Sequence, residues 1–352
     1  MYLYQIKNAT IKGIGMFIKN YCIIGIAAIA SLAALVYGED AMPEIRFHGN
    51  IQIQARKELY DNGSTNNLDQ FWGRANFGGT VSGENVSGRI NIQAFPGGFG
   101  HEVLTGATFD TSGQGAITEQ KAGIPNIQIE NAWIQHTWRG VRAKVGRFSQ
   151  TTSKTLYFGN YLNQNPGGMF MSRIAYFNAV EFSTKTGPLS SSIILSAGDK
   201  TLNKGSLRIY ERLSLAEGVH FGVGYFGNVF DRVHNNNAEI TNRFILNGEY
   251  TVIRGFVPYF EIGIIENHAE ESWDIPLNIG FQIPGGNFVD FVALEMEYSP
   301  ETTRKNNPLG VNLAVMKRVN DHSVFQAGIS TCTSADSFGN VVFGLRYTGI
   351  LY

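Results

Sequence analysis

From Ile45 to Leu59 the chain reads IRFHGNIQIQARKEL and separates two kinds of residue by parity. Ile45, Phe47, Gly49, Ile51, Ile53 and Ala55 are apolar or small, and this row turns polar only at Lys57 before Leu59. Arg46, His48, Asn50, Gln52, Gln54, Arg56 and Glu58 form a wholly polar row. Successive side chains of a strand point to opposite faces, so period two assigns the rows to two surfaces. Ordinary strands run about five or six residues. A strand that crosses a bilayer needs about nine to eleven, apolar toward lipid and polar toward a wet interior.

The same alternation returns along the rest of the chain. Phe71, Gly73, Ala75, Phe77, Gly79 and Val81 oppose Trp72, Arg74, Asn76 and Thr80; Val86, Gly88, Ile90, Ile92 and Ala94 oppose Ser87, Arg89, Asn91 and Gln93. The stretch 127–138 is the least regular, since neither parity is wholly apolar. After a turn at Arg139-Gly140, Val141, Ala143 and Val145 oppose Arg142, Lys144 and Gly146. Further strands are expected from Val180, at 189–197 and near 206–215, 219–227, 243–252, 256–264, 275–283, 288–298, 309–318, 324–331 and 341–352. The clearest apolar rows are Phe244, Leu246, Tyr250 and Val252; Phe256, Phe260, Ile262 and Ile264; and Ile275, Leu277, Ile279, Phe281 and Ile283.

That makes sixteen strands, whose connections alternate long and short. Even strand number, short turns at one end and long loops at the other are the pattern of a transmembrane antiparallel β-barrel. A secreted β-sandwich has no reason to keep that parity, and no repeat of 20–50 residues points to a solenoid or propeller. Glu211 breaks the pattern, because it stands in the apolar row between Ile209 and Leu213. A carboxylate facing lipid is costly, so a bulge, a place near the rim, or burial in a subunit contact is expected there.

The first 38 residues are of another kind. Lys7, Lys12 and Lys19 are their only charged side chains, and Ile23 to Val36 forms an apolar core. Val36-Tyr37-Gly38 then supplies a cleavage pattern, so residues 1–38 read as a secretory signal peptide, with Met16 as an alternative start. The apolar core is shorter than the roughly 20 residues a membrane-spanning helix needs. Without this segment 25 basic residues remain against 29 acidic, a net charge of −4. No basic footprint for nucleic acid is present. Cys332 is the one cysteine beyond the leader, which leaves no intrachain disulfide or thiolate metal cluster. Charged residues are 16% of the chain against a usual quarter or so, and Gly, Phe and Tyr are plentiful. The 39–352 region is therefore expected to be one barrel.

The final strand, VVFGLRYTGILY over Val341 to Tyr352, ends on an aromatic residue after Val341, Phe343, Leu345 and Tyr347. It resembles the C-terminal signal by which outer-membrane proteins are received by the barrel-assembly machinery. Together with the leader and the sixteen-strand parity, the chain resembles a Gram-negative outer-membrane porin. VRAKVGRF over Val141 to Phe148 is similar to segments of general and phosphate-selective porins. The resemblance implies a homotrimer in outer-membrane lipid and lipopolysaccharide, with passive diffusion of small hydrophilic solutes and ions and with no cofactor. It also implies a third outer loop folded inward as a constriction. The matching segment is 148–178, which holds Lys154, Tyr157, Tyr161 and Arg173 and no acidic residue. It departs from the acidic PEFGG-type motif of general porins, its nearest counterpart being Asn165-Pro166-Gly167-Gly168. The connection at 95–126 is comparably long and is the alternative candidate to fold inward or latch onto a neighbour.

Inward parity collects Arg46, Arg56, Arg74, Arg89, Arg142 and Lys144 on the first five strands, and Arg346 on the last, which closes onto the first. Glu249, Glu261, Glu295 and Glu297 fall inward on later strands. Opposed basic and acidic walls set a transverse field and hence selectivity. Arg74, Arg142 and Lys154 favour an anion channel, such as one for phosphate-like solutes. Trp72, Tyr259 and the Tyr157–Tyr161 cluster favour oligosaccharides instead. Enzymatic readings find little: no serine stands at a catalytic spacing from His48, His136 or His220, and Glu295 with Glu297 is explained equally by a lumen wall. A non-conducting structural barrel is the stronger competitor to a pore.

Overall fold

The structure is a computed structural model that describes residues 44–60, 70–94, 127–151, 173–197, 205–227, 240–253, 256–267, 272–298, 309–333 and 341–351. The signal peptide expected over 1–38 lies outside the described residues. So do the connection 95–126 and the loop positions Lys154, Tyr157 and Tyr161.

Seventeen strand segments form a single antiparallel sheet. They are β1 (Glu44–Tyr60), β2 (Gln70–Ser82), β3 (Val86–Ala94), β4 (Ile127–Trp138), β5 (Val141–Thr151) and β6 (Arg173–Thr186). Next come β7 (Leu189–Ala197), β8 (Gly205–Ala216), β9 (Val219–Gly227), β10 (Ile240–Tyr250) and β11 (Val257–Asn267). The last are β12 (Ser272–Asp274), β13 (Leu277–Pro284), β14 (Phe291–Tyr298), β15 (Leu309–Asn320), β16 (Ser323–Thr333) and β17 (Val341–Leu351). Sequence neighbours pair throughout, and β17 returns to β1 with Gly49 opposite Leu351 and Gln54 opposite Arg346. Both β12 and β13 pair with β11. They are two halves of one stave, so the closed barrel has sixteen staves, as the sequence pattern predicts. Pro276 lacks the N–H the ladder needs, and it divides the stave expected at 275–283. Its carbonyl still accepts from Gly263 N at 2.8 Å, and Ile275, Ile279 and Ile283 all remain exposed on the outer face.

The turns follow local chemistry. Arg139 (φ 48°) and Gly140 (φ 81°) make a two-residue hairpin loop with both φ values positive, the turn whose twist matches the flanking strands. The turn after β13 is wider than the expected Pro284–Asn287. Gly285 N donates to Asp290 O at 3.2 Å, so β14 begins only at Phe291 rather than at 288. Asp290 Oδ2 accepts from Arg318 N at 2.5 Å and Oδ1 from Lys317 Nζ at 3.3 Å. The backbone donor first, and the two cations after it, hold this carboxyl below its ordinary value.

Two irregularities explain where the alternation is unreadable. In β4 the register slips so that Asn91 faces Asn131 while Ile92 faces Ile129. The extra residue buries Glu130 and Asn131 together and moves the outward row from Ile129 to Ile134. In β6 the ladder continues past a slip between Phe148 and Gln150 to pair Thr151 with Arg173. The connection expected over 148–178 is thus shorter, because Phe148–Thr151 and Arg173–Asn178 belong to the sheet.

Candidate functional site

The barrel interior is where chemistry collects. Along β10, Phe244 (44% exposed) and Leu246 (43%) point out while Ile245 (2%) and Asn247 (3%) are buried. About half of the buried set is polar, including Gln54, Asn76, Asn91, Gln93, Asn278, Glu261, Glu295, Asn312, Gln326 and Ser330, beside apolar residues such as Ile194, Phe226 and Val342. An inner face of amides and carboxylates is the reverse of a soluble β-sandwich core.

On β1–β5 and β17, contacts run mostly between directly paired residues. Arg74 Nε donates to Gln52 Oε1 at 2.6 Å, and Asn76 Nδ2 to Asn50 Oδ1 at 3.0 Å. Across the closure Arg346 donates through Nε and Nη2 to Gln54 Oε1 at 3.2 and 3.0 Å. Arg89 Nη2 lies 3.2 Å from His48 Nε2. Lys144 Nζ pairs with Glu181 Oε2 at 3.0 Å and sits 4.8 Å from the Phe148 ring centroid and 5.2 Å from that of Trp133. The ring contacts need Gly146: at φ 130° it faces Trp133, and a Cβ there would run into the β4 backbone. Arg46 lies at the rim, 2.7 Å from Glu44, and Arg142 is exposed beside the Arg139-Gly140 turn. Arg56 and Glu297 occupy backbone positions opposite Gly344 and Asn278. Arg173 opens β6.

On β8–β14, direct pairs such as Asn242 with Glu266 and Ser214 with His220 are joined by three contacts that reach across an intervening strand. Tyr210 on β8 donates to Asn247 Oδ1 on β10 at 3.1 Å, its ring lying over Gly222 and Gly224 of β9. Arg212 Nη2 reaches Glu249 Oε1 at 2.5 Å across the same strand. Tyr259 on β11 passes over Gly280 of β13 and donates to Glu295 on β14. Glycine on the middle strand leaves the room that each ring fills.

These contacts revise two expectations. Tyr259 is 4% exposed and hydrogen-bonded, so it is no open platform for a sugar ring. The wall division is also less sharp than the sequence parity predicts. Arg208, Arg212 and Arg243 stand in the inward registers among the glutamates, while Glu130 and Glu181 stand among the arginines. Arg208 and Arg243 flank Phe226, which Arg208 overlies at 5.8 Å. Their parity, shared with the inward Tyr210 and Ile245 and opposite to the outward Leu213 and Phe244, was the available signal.

With the closed sheet and its polar interior in place, solved structures can be compared. OmpTdeltaL8, a loop-deleted form of the outer membrane protein OmpT of Vibrio cholerae, superposes with TM-score 0.60 at 10% identity, covering 88% of this chain and 99% of that one. A mutant of the Rh. blastica porin gives 0.56 at 9%, covering 88% and 100%. The fold is that of the outer-membrane porins. In vitro folded OmpT, described as a trimer form, gives 0.59 at 10% identity, covering 88% and 99%. No protein-family model and no curated protein sequence matches the chain.

Proposed function

We propose that this porin-like barrel is a non-enzymatic diffusion channel of the outer membrane, passing small hydrophilic solutes and ions. The observation that supports this most is the polar share of the inner face, from Gln54 and Asn76 round to Asn312 and Gln326, between apolar clusters such as Phe148 with Ile194 and Phe226 with Ile245. In this reading residues 1–38 are a cleaved leader, the C-terminal strand guides assembly, and 152–172, with Lys154, Tyr157 and Tyr161, narrows the lumen. The protein works as a homotrimer in lipid and lipopolysaccharide, in keeping with the trimer form described for OmpT.

A second reading, weak anion preference, is favoured by the arginines interspersed among the glutamates on β8–β14. They compensate the acidic wall, whereas Arg74, Arg89 and Arg346 are held by neutral partners in the contacts above. Single-channel recording of refolded protein in planar bilayers, with reversal potential in a salt gradient, tests both. Ohmic steps grouped in threes, with a modest shift toward the anion, are expected. No conductance from a verified folded barrel would overturn the channel and leave a structural barrel.

A further inference from the structure

Glu211 faces outward within the apolar band, with Ile209 and Leu207 toward one end and Leu213 and Leu215 toward the other. The structure removes two explanations for it. No register slip occurs at Glu211, which pairs regularly with Ser191 and Val223. Nor is it at a rim: six residues separate it from Glu217, a height of about 15 Å above the short turns at about 3.3 Å per residue and a tilt near 40°. Ser191 Oγ donates to its Oε2 at 2.5 Å, one hydrogen bond for a carboxylate that accepts several.

An opposite charge occupies the same band. Arg147 on β5 pairs on the outer face with Ala132 and Asn178, its Nε fixed on Ile129 O at 2.9 Å. It stands seven residues beyond Gly140, a height of about 18 Å by the same rise and tilt. The difference in height is within the reach of the two side chains. Between them lie exposed Val145, Phe182, Ile193 and Leu195.

Within one barrel the two charges are far apart, since β5 and β8 are three staves apart. One stave in sixteen subtends about 22°, so the separation is about 68° of the circumference. In a three-fold ring, each subunit meets its two neighbours at patches about 60° apart. We infer that Arg147 of one copy pairs with Glu211 of the next, with β6 and β7 turned toward the three-fold axis. A two-fold pair would touch at β6–β7, where the curvature draws both charges back from the contact. The occupant of this face is therefore a second copy of the chain, in a head-to-tail ring that closes at three.

This rests on the trimeric reading above, and the test separates the two. The oligomer released in mild detergent is measured by native mass spectrometry, and its dissociation temperature by semi-native electrophoresis. The variants are Arg147→Glu, Glu211→Arg and the double charge swap, with folding of each barrel checked by circular dichroism. Wild-type protein is expected as a trimer, each single reversal as monomer or with dissociation lowered by 10 °C or more, and the double swap as a restored trimer. A wild-type monomer or dimer overturns both readings. A wild-type trimer that both reversals leave unchanged, or single losses that the swap fails to restore, overturns the contact alone.

Discussion

The two halves of the inner wall solve the same problem in different ways. On β1–β5 and β17, polar side chains meet the residue directly opposite: Gln52 with Arg74, Asn50 with Asn76, Gln54 with Arg346, Lys144 with Glu181. On β8–β14, Tyr210, Arg212 and Tyr259 pass over a strand to reach Asn247, Glu249 and Glu295. Glycine makes the difference. Gly222, Gly224 and Gly280 clear the middle strand, and a large ring fills each gap. The first half also has one such reach, from Arg89 to His48, where Gly78 lies between their strands. Reach across the wall is therefore set by where the glycines are, and charge placement is secondary.

The largest test of that contrast is Gly280→Leu. It collides with the Tyr259 ring and removes a donor from Glu295, a carboxylate that is 1% exposed. A loss on the order of 3 kcal/mol or more is expected in urea unfolding from liposomes. Filling a first-half position such as Gly49 on β1, where an added Cβ meets nothing closer than 3.1 Å, should cost clearly less. Equal losses would break the comparison. Tyr259→Phe keeps the ring and removes the hydrogen bond to a charged acceptor, so about 1.5–3 kcal/mol is expected in the same assay.

Arg212→Ala should act on permeation more than on stability. It frees Glu249 from its 2.5 Å partner and adds net negative charge to the second half. The reversal potential should move toward the cation. Arg74→Ala removes a positive charge from the first half and should move it the same way. A shift in opposite directions would mean that these side chains do not border the conducting path.

The smallest effect is expected outside both halves, at the Asp290 turn. Its carboxyl titrates lower folded than unfolded because Arg318 N and Lys317 stabilise its charged form. A depressed carboxyl contributes stability that is present above its ordinary value of 3.8 and is lost as pH falls through the lower folded value. Asp290→Asn should flatten this acid dependence of unfolding and leave the neutral-pH conductance unchanged.

Much of this was legible in the chain. Alternation from Ile45 to Leu59, and its return in most later staves, determined a closed sheet of sixteen staves with polar residues inside, because a strand offers only two faces and lipid accepts only one kind. Parity placed Arg74, Arg346, Glu261 and Glu295 on the inner face for the same reason. What the tertiary structure decided begins where period two is interrupted or where a contact is not local. The slip at Glu130, a single unpaired residue, reverses the parity of β4, and a slip that sets Ser149 against Ala175 and Tyr176 lets the pairing run on to Arg173 and lengthens β6. The links from Tyr210 to Asn247 and from Tyr259 to Glu295 join residues on non-adjacent strands. Such pairs come together only when the register of three strands is fixed at once and a glycine in the middle leaves space for the ring.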